Sequence, residues 1–85
     1  MPIPALPPLA PKWAADTRSR DQLITAVRDQ VIVLGDDWLR AALWRIPTVG
    51  IKHMSRLELL GMLQHAEAWE MLPHVRDEIR PPAGW

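Results

Sequence analysis

Apolar residues recur with helical period in three stretches, and glycine or proline punctuates each one. Between Ser19 and Leu34, the side chains of Leu23, Ile24, Val27, Val31 and Leu34 fall within about 100° of one another on a helical wheel, a core-facing stripe. Ser19 and Gln22 have the spacing of a capping box, so the first helix starts at Ser19, and Gly35 supplies its stop. The run Val31-Ile32-Val33-Leu34 has strand propensity, but the preceding period and the lack of a second strand assign it to the helix.

Asp36 or Asp37 caps a second, shorter helix, and Pro47 ends it, because the residue before a proline disfavours helical geometry. Leu39, Ala42, Leu43 and Ile46 form its expected buried stripe. On that phase Trp38 lies roughly 90° from the stripe centre and Trp44 roughly 150° from it, toward water. A tryptophan so placed needs a cover: the N-terminal arm, the third helix or another molecule.

Ser55 and Glu58 make a second capping box and open the longest helix, expected to run to about Met71. Its apolar residues lie on two sides, Leu59, Met62, Leu63, Ala66 and Trp69 on one, Leu57, Leu60, Gly61, Ala68 and Met71 on the other. Such a helix is either central to its own fold or an oligomer contact. Gly61 lowers helicity by about 1 kcal/mol relative to alanine and lets another backbone come close. Pro73 suits the first turn of a last short helix carrying Val75 and Ile79, closed by Pro81-Pro82.

Pro2, Pro4, Pro7, Pro8 and Pro11 exclude a helix interior from residues 1–12 and favour an extended arm. Two PxxP spacings, Pro4 to Pro7 and Pro8 to Pro11, would suit an aromatic groove on a partner. The plainer reading lays the arm on its own domain through Ile3, Leu6, Leu9 or Trp13, or leaves it mobile. The expected fold is all-α, a small bundle of three to four helices with an extended proline-rich N-terminal arm. Residues 1–17 form the arm, 18–80 the helical domain and 81–85 a tail.

Composition narrows the chemistry. A chain of 85 residues buries only about 60–65% of its unfolded surface, which leaves little room for a deep cleft. Ten basic and ten acidic residues give zero net charge, so any electrostatic site must be local. With no cysteine there is no disulfide, thiolate metal site or cysteine nucleophile. No apolar run reaches the ~18–20 residues of a membrane span and no signal-peptide pattern opens the chain, so a cytoplasmic protein without membrane contact is expected. His53, His65 and His74 lack metal-ligand spacing. His65 and Glu67 match a fragment of the zinc-deaminase signature whose cysteines this chain does not have. Glu67 with Glu70, and Asp77 with Glu78, read as solvated helix surface. No enzyme activity, metal or cofactor is expected.

Charge is nevertheless uneven. Arg40, Arg45, Lys52 and Arg56 face only Glu58 between Trp38 and Gln64, whereas residues 65–85 are net acidic. The helix start after Ser55 offers free N–H groups and a partial positive charge, with Lys52, His53 and Arg56 beside it, where a phosphate could dock. Leu39-Arg40, then Gly50, then Met54-Ser55-Arg56 with Glu58-Leu59-Leu60 resembles the helix-extended-loop-helix motif of Rho N-terminal and SAP-like domains, over residues 39–63. Pro47-Thr48 and Trp44 depart from that pattern. The resemblance implies DNA or RNA binding through Arg40, Lys52, Ser55 and Arg56.

Two functions are therefore expected. The first is a non-enzymatic regulatory or adaptor protein that binds a protein partner through exposed tryptophans and apolar helix faces. Five tryptophans without Phe or Tyr favour it. Trp44 and Trp85 are its foremost contacts, with Met62 and Trp69 on the third helix, whose two apolar sides also suit a homodimer; in so small a protein, however, Trp38 and Trp69 suit the core better than a contact. The alternative is a nucleic-acid-binding accessory protein that sets Arg40, Arg45, Lys52, His53, Ser55 and Arg56 against phosphates.

Overall fold

The structure, a computed structural model, describes residues 8–46 and 50–71. Among these the fold is all-α, without a strand. A short α1 (Pro11–Ala14) leads to the long α2 (Arg20–Arg45), a 3-10 turn (Ile51–His53) follows, and α3 (Arg56–Met71) completes the described chain. The expected last helix after Pro73, the tail, Trp85 and residues 1–7 of the arm lie outside the described residues.

Both expected capping boxes form. Ser19 Oγ accepts from the Gln22 N–H while Gln22 Oε1 accepts from the Ser19 N–H. At α3, Ser55 Oγ accepts from the Glu58 N–H at 3.2 Å and Glu58 Oε1 accepts from the Ser55 N–H at 3.0 Å. Each box satisfies two backbone donors that a helix start otherwise leaves to water, a contribution of about 1 kcal/mol.

Gly35 breaks α2, as the sequence predicts. Its backbone, φ 81° and ψ −172°, is non-helical, and residues 20–34 and 36–45 are two helical segments joined at a kink. Nothing lies within 4 Å of where a Cβ would stand, so the backbone angle rather than crowding requires glycine here.

One core fills the angle between α2 and α3. Leu23 and Val27 come from the first segment of α2, and Trp38, Ala41, Ala42 and Ile46 from the second segment and its end. Met54, Leu59, Leu60, Met62, Leu63, Ala66 and Trp69 supply the rest. The phase of residues 36–45 corrects the expected one. Trp38 is fully buried while Leu39 and Leu43 are only partly covered, a rotation of roughly 75° from the aliphatic stripe. Trp38, one of two tryptophans in that segment, takes the core position, and Leu39 and Leu43 pack at its edge.

The N-terminal stretch is not wholly extended, because Pro11 opens the α1 turn, where its fixed φ suits a first helical position. Residues 8–13 lie on α3. Gln64 bridges the two, accepting from the Ala10 N–H at 2.7 Å and donating to the Pro8 carbonyl at 3.2 Å, while Leu9 and Trp13 pack on the core. Residues 8–13 thus lie on their own domain, whereas residues 1–7 of the arm fall outside the described residues.

Candidate functional site

The starts of α2 and α3 are tied to each other. Arg20, the first residue of α2, donates from Nε to the Met54 carbonyl at 2.9 Å and from its guanidinium to the Lys52 carbonyl. Arg56, the first residue of α3, reaches back and donates to the Asp16 and Arg18 carbonyls. Each helix thus opens with an arginine that binds the connector leading into the other. A cation is poorly placed in a helix's first turn, and the carbonyls it finds in the neighbouring loop compensate. Asp16 completes the corner: its carboxylate receives the Arg18 N–H at 2.9 Å and the Arg18 guanidinium at 2.7 Å. These hydrogen bonds from Arg18 hold the Asp16 carboxyl below its ordinary 3.8.

This arrangement decides where the expected phosphate contacts stand. Arg56 is committed to two carbonyls, and Ser55 is the cap of α3 with Glu58 across it, so a carboxylate already occupies the space before that helix. Lys52 and His53 are exposed on the 3-10 turn. The Arg45 guanidinium lies 5.6 Å from the Trp44 ring centroid, and both side chains are half-buried. Arg40 is exposed on the second segment of α2. The structure brings Ser55, Arg56 and the 3-10 turn to one corner, but it spends two of the six expected groups on holding that corner together.

The expected partner contacts on α3 are corrected. Met62 is fully buried and Trp69 nearly so, both inside the α2/α3 core. The helix is central to its own fold: Leu60 and Gly61, on its second apolar side, are buried as well. Exposed apolar side chains occur elsewhere, at Ile32 (81% exposed), Val33 (69%), Leu57 (53%) and Met71 (69%). Ile32 and Val33 escape a stripe analysis because they sit in an unbroken apolar run of which only Val31 and Leu34 pack on the core. The cue is angular: Ile32 falls roughly 160° from the centre of Leu23 and Val27, and Val33 roughly 100° from it.

His65 is the one buried polar or charged residue among those described, 7% exposed, and neither ring nitrogen has a hydrogen-bond partner. Burial, and then the charge of Arg45, push its pKa down to about 4, so the ring is neutral at pH 7. Trp38 Nε1 is likewise buried without a partner. No group of three or more potential metal ligands assembles among the described residues. Two depressions flank Trp13: an apolar groove of about 630 Å³ between residues 8–13 and the end of α3, and a more polar one of about 340 Å³ reaching Gln30, Arg18 and Glu70. The Lys12–Glu67 ion pair borders the first.

No protein-family model matches the chain, and curated proteins and solved structures give no significant match. The functional reading therefore rests on geometry. No helix among the described residues is long and apolar enough to cross a membrane. The paired arginines, which sequence reasoning missed, do have a signal: Ser19-Arg20-Asp21-Gln22 and Ser55-Arg56-Leu57-Glu58 repeat one pattern, a capping box with arginine at its second position.

Proposed function

We propose that this chain is a non-enzymatic regulatory or adaptor protein that acts by binding another protein through apolar surface on its helices. The observation that carries this reading is the exposure of four large apolar side chains, Ile32, Val33, Leu57 and Met71, on helices whose inner faces already fill a core. Helix surface is normally given to charged and polar residues, and adjacent apolar groups left there, as Ile32 and Val33 are, gain free energy when a partner covers them. Trp44, half-buried under the Arg45 guanidinium, is an amphipathic contact of the kind concentrated in binding hot spots.

Affinity capture with crosslinking from the host lysate tests the reading. The wild-type chain is expected to retain a partner that a variant with serine at positions 32, 33, 57 and 71 loses. Identical recovery by both, with helicity matched by circular dichroism, overturns it. The nucleic-acid reading keeps the exposed Lys52 and His53 on the 3-10 turn as its support. It requires oligonucleotide binding that weakens steeply between 50 and 200 mM salt, conditions chosen to expose counterion release.

A further inference from the structure

We propose that the outer face of the bend at Gly35 docks a basic segment of a partner protein, one that carries apolar side chains between its lysines or arginines. The inference rests on the protein-interaction reading and names the surface and the chemistry that surface selects. Ile32 and Val33 are two adjacent and strongly exposed apolar residues, 81% and 69% accessible, Ile32 on the side of α2 away from Leu23 and Val27 and Val33 on its flank. They add nothing to the helix that carries them: β-branched residues are poorer helix formers than lysine, glutamine or alanine, and no described residue covers them. Their remaining use is contact.

The rim sets the sign of the partner. Asp29 precedes Ile32 and Val33 by about one turn and falls between them in helical phase, and Asp36 and Asp37 follow directly after the Gly35 break. All three carboxylates are exposed; the exposed cations near them are Arg28, one turn before Ile32, and Arg40, one turn after Asp36 and Asp37, so acids outnumber bases three to two. An apolar pair inside an acidic rim matches a cationic, amphipathic segment and repels an acidic one, because complementary charge guides encounter and like charge suppresses wrong partners. The surface is the convex side of a helix rather than a cleft, which suits a helix laid across it.

The test uses the full chain, 15N-labelled, titrated with three synthetic helical peptides: lysine with leucine, glutamate with leucine, and lysine with glutamine. The expected result is that the lysine–leucine peptide alone shifts the amide resonances of residues 28–37. Its affinity should fall by about tenfold or more in Ile32→Ser/Val33→Ser and in Asp29→Asn/Asp36→Asn/Asp37→Asn. Both variants change exposed positions, and circular dichroism checks that they fold. Equal binding of the glutamate–leucine peptide, shifts confined to other residues, or unchanged affinity in the variants would overturn the proposal. So would a concentration-dependent dimer abolished by Ile32→Ser/Val33→Ser, which would make a second copy the occupant. A lysate partner retained by Ile32→Ser/Val33→Ser but lost by Leu57→Ser/Met71→Ser would sink this surface while leaving the protein-interaction reading in place.

Discussion

His65 shows how a single side chain can set the pH response of the molecule. Its folded pKa is pushed down to about 4 from 6.5, so between those values the unfolded chain holds a proton that the folded chain rejects. Stability from this residue is present in full above pH 6.5 and is lost as pH falls toward 4, by about 3 kcal/mol in total. Asp16, held below 3.8, keeps its contribution through that window and loses it only at lower pH. Urea denaturation at pH 7.5 and at pH 4.5 should therefore show a large difference for the wild type and a much smaller one for His65→Leu. Because both ring nitrogens are unpaired, the leucine variant should be at least as stable at pH 7.5. An unchanged pH slope would mean that other groups govern acid sensitivity. Sequence alone hides all this: a lone histidine in an amphipathic helix carries no sign of which neighbours desolvate it. Arg20 and Arg56 make a second residue-scale case. Replacing either with methionine removes charge-assisted hydrogen bonds to two carbonyls and should cost about 1–3 kcal/mol in chemical denaturation. A lysine in either position should recover only part of it, since a point charge cannot bridge two carbonyls as a guanidinium fork does.

At the scale of elements, what was legible was whatever the chain determines locally. Ser19 with Gln22 and Ser55 with Glu58 cap their helices as their spacing predicts, and Gly35 ends a helical segment as glycine commonly does. The phase of residues 36–45 was not legible. An aliphatic stripe and a tryptophan about 90° away compete for one core, and the helical period does not say which of them wins; the structure buries Trp38. Gly35→Ala tests the bend directly. The φ 81°, ψ −172° geometry belongs to a region that is nearly glycine-only, so alanine should destabilise by about 1–3 kcal/mol despite the open space around it. If the substitution instead raises thermal stability and helicity, the two segments of α2 favour a straight helix, and the Gly35 corner is not a fixed feature.

At the scale of the whole molecule, contacts between distant residues place α3 in the middle and the N-terminal stretch on top of it. The Gln64 bridge to Pro8 and Ala10 joins positions more than 50 residues apart, which no periodicity encodes. The two-sided apolar pattern of α3 left open whether its second side meets its own chain or another. The burial of Leu60 and Gly61 answers in favour of its own chain, and the exposure of Leu57 and Met71 marks where that coverage stops. Substitution energetics should follow the same division. Met62→Ala empties a fully buried position and should cost about 2–5 kcal/mol, comparable with the whole stability of a domain this small. Its thermal transition, followed by helical circular dichroism, should broaden or disappear at room temperature. Leu57→Ser, one and a half turns earlier on the same helix, changes a half-exposed side chain and should stay within about 0.5–1 kcal/mol of wild type. If the order were reversed, with Leu57→Ser the damaging change and Met62→Ala silent, α3 would pack through its other side. The assignment of Met62 and Trp69 to the core would then give way to the partner-facing role that the sequence pattern allows.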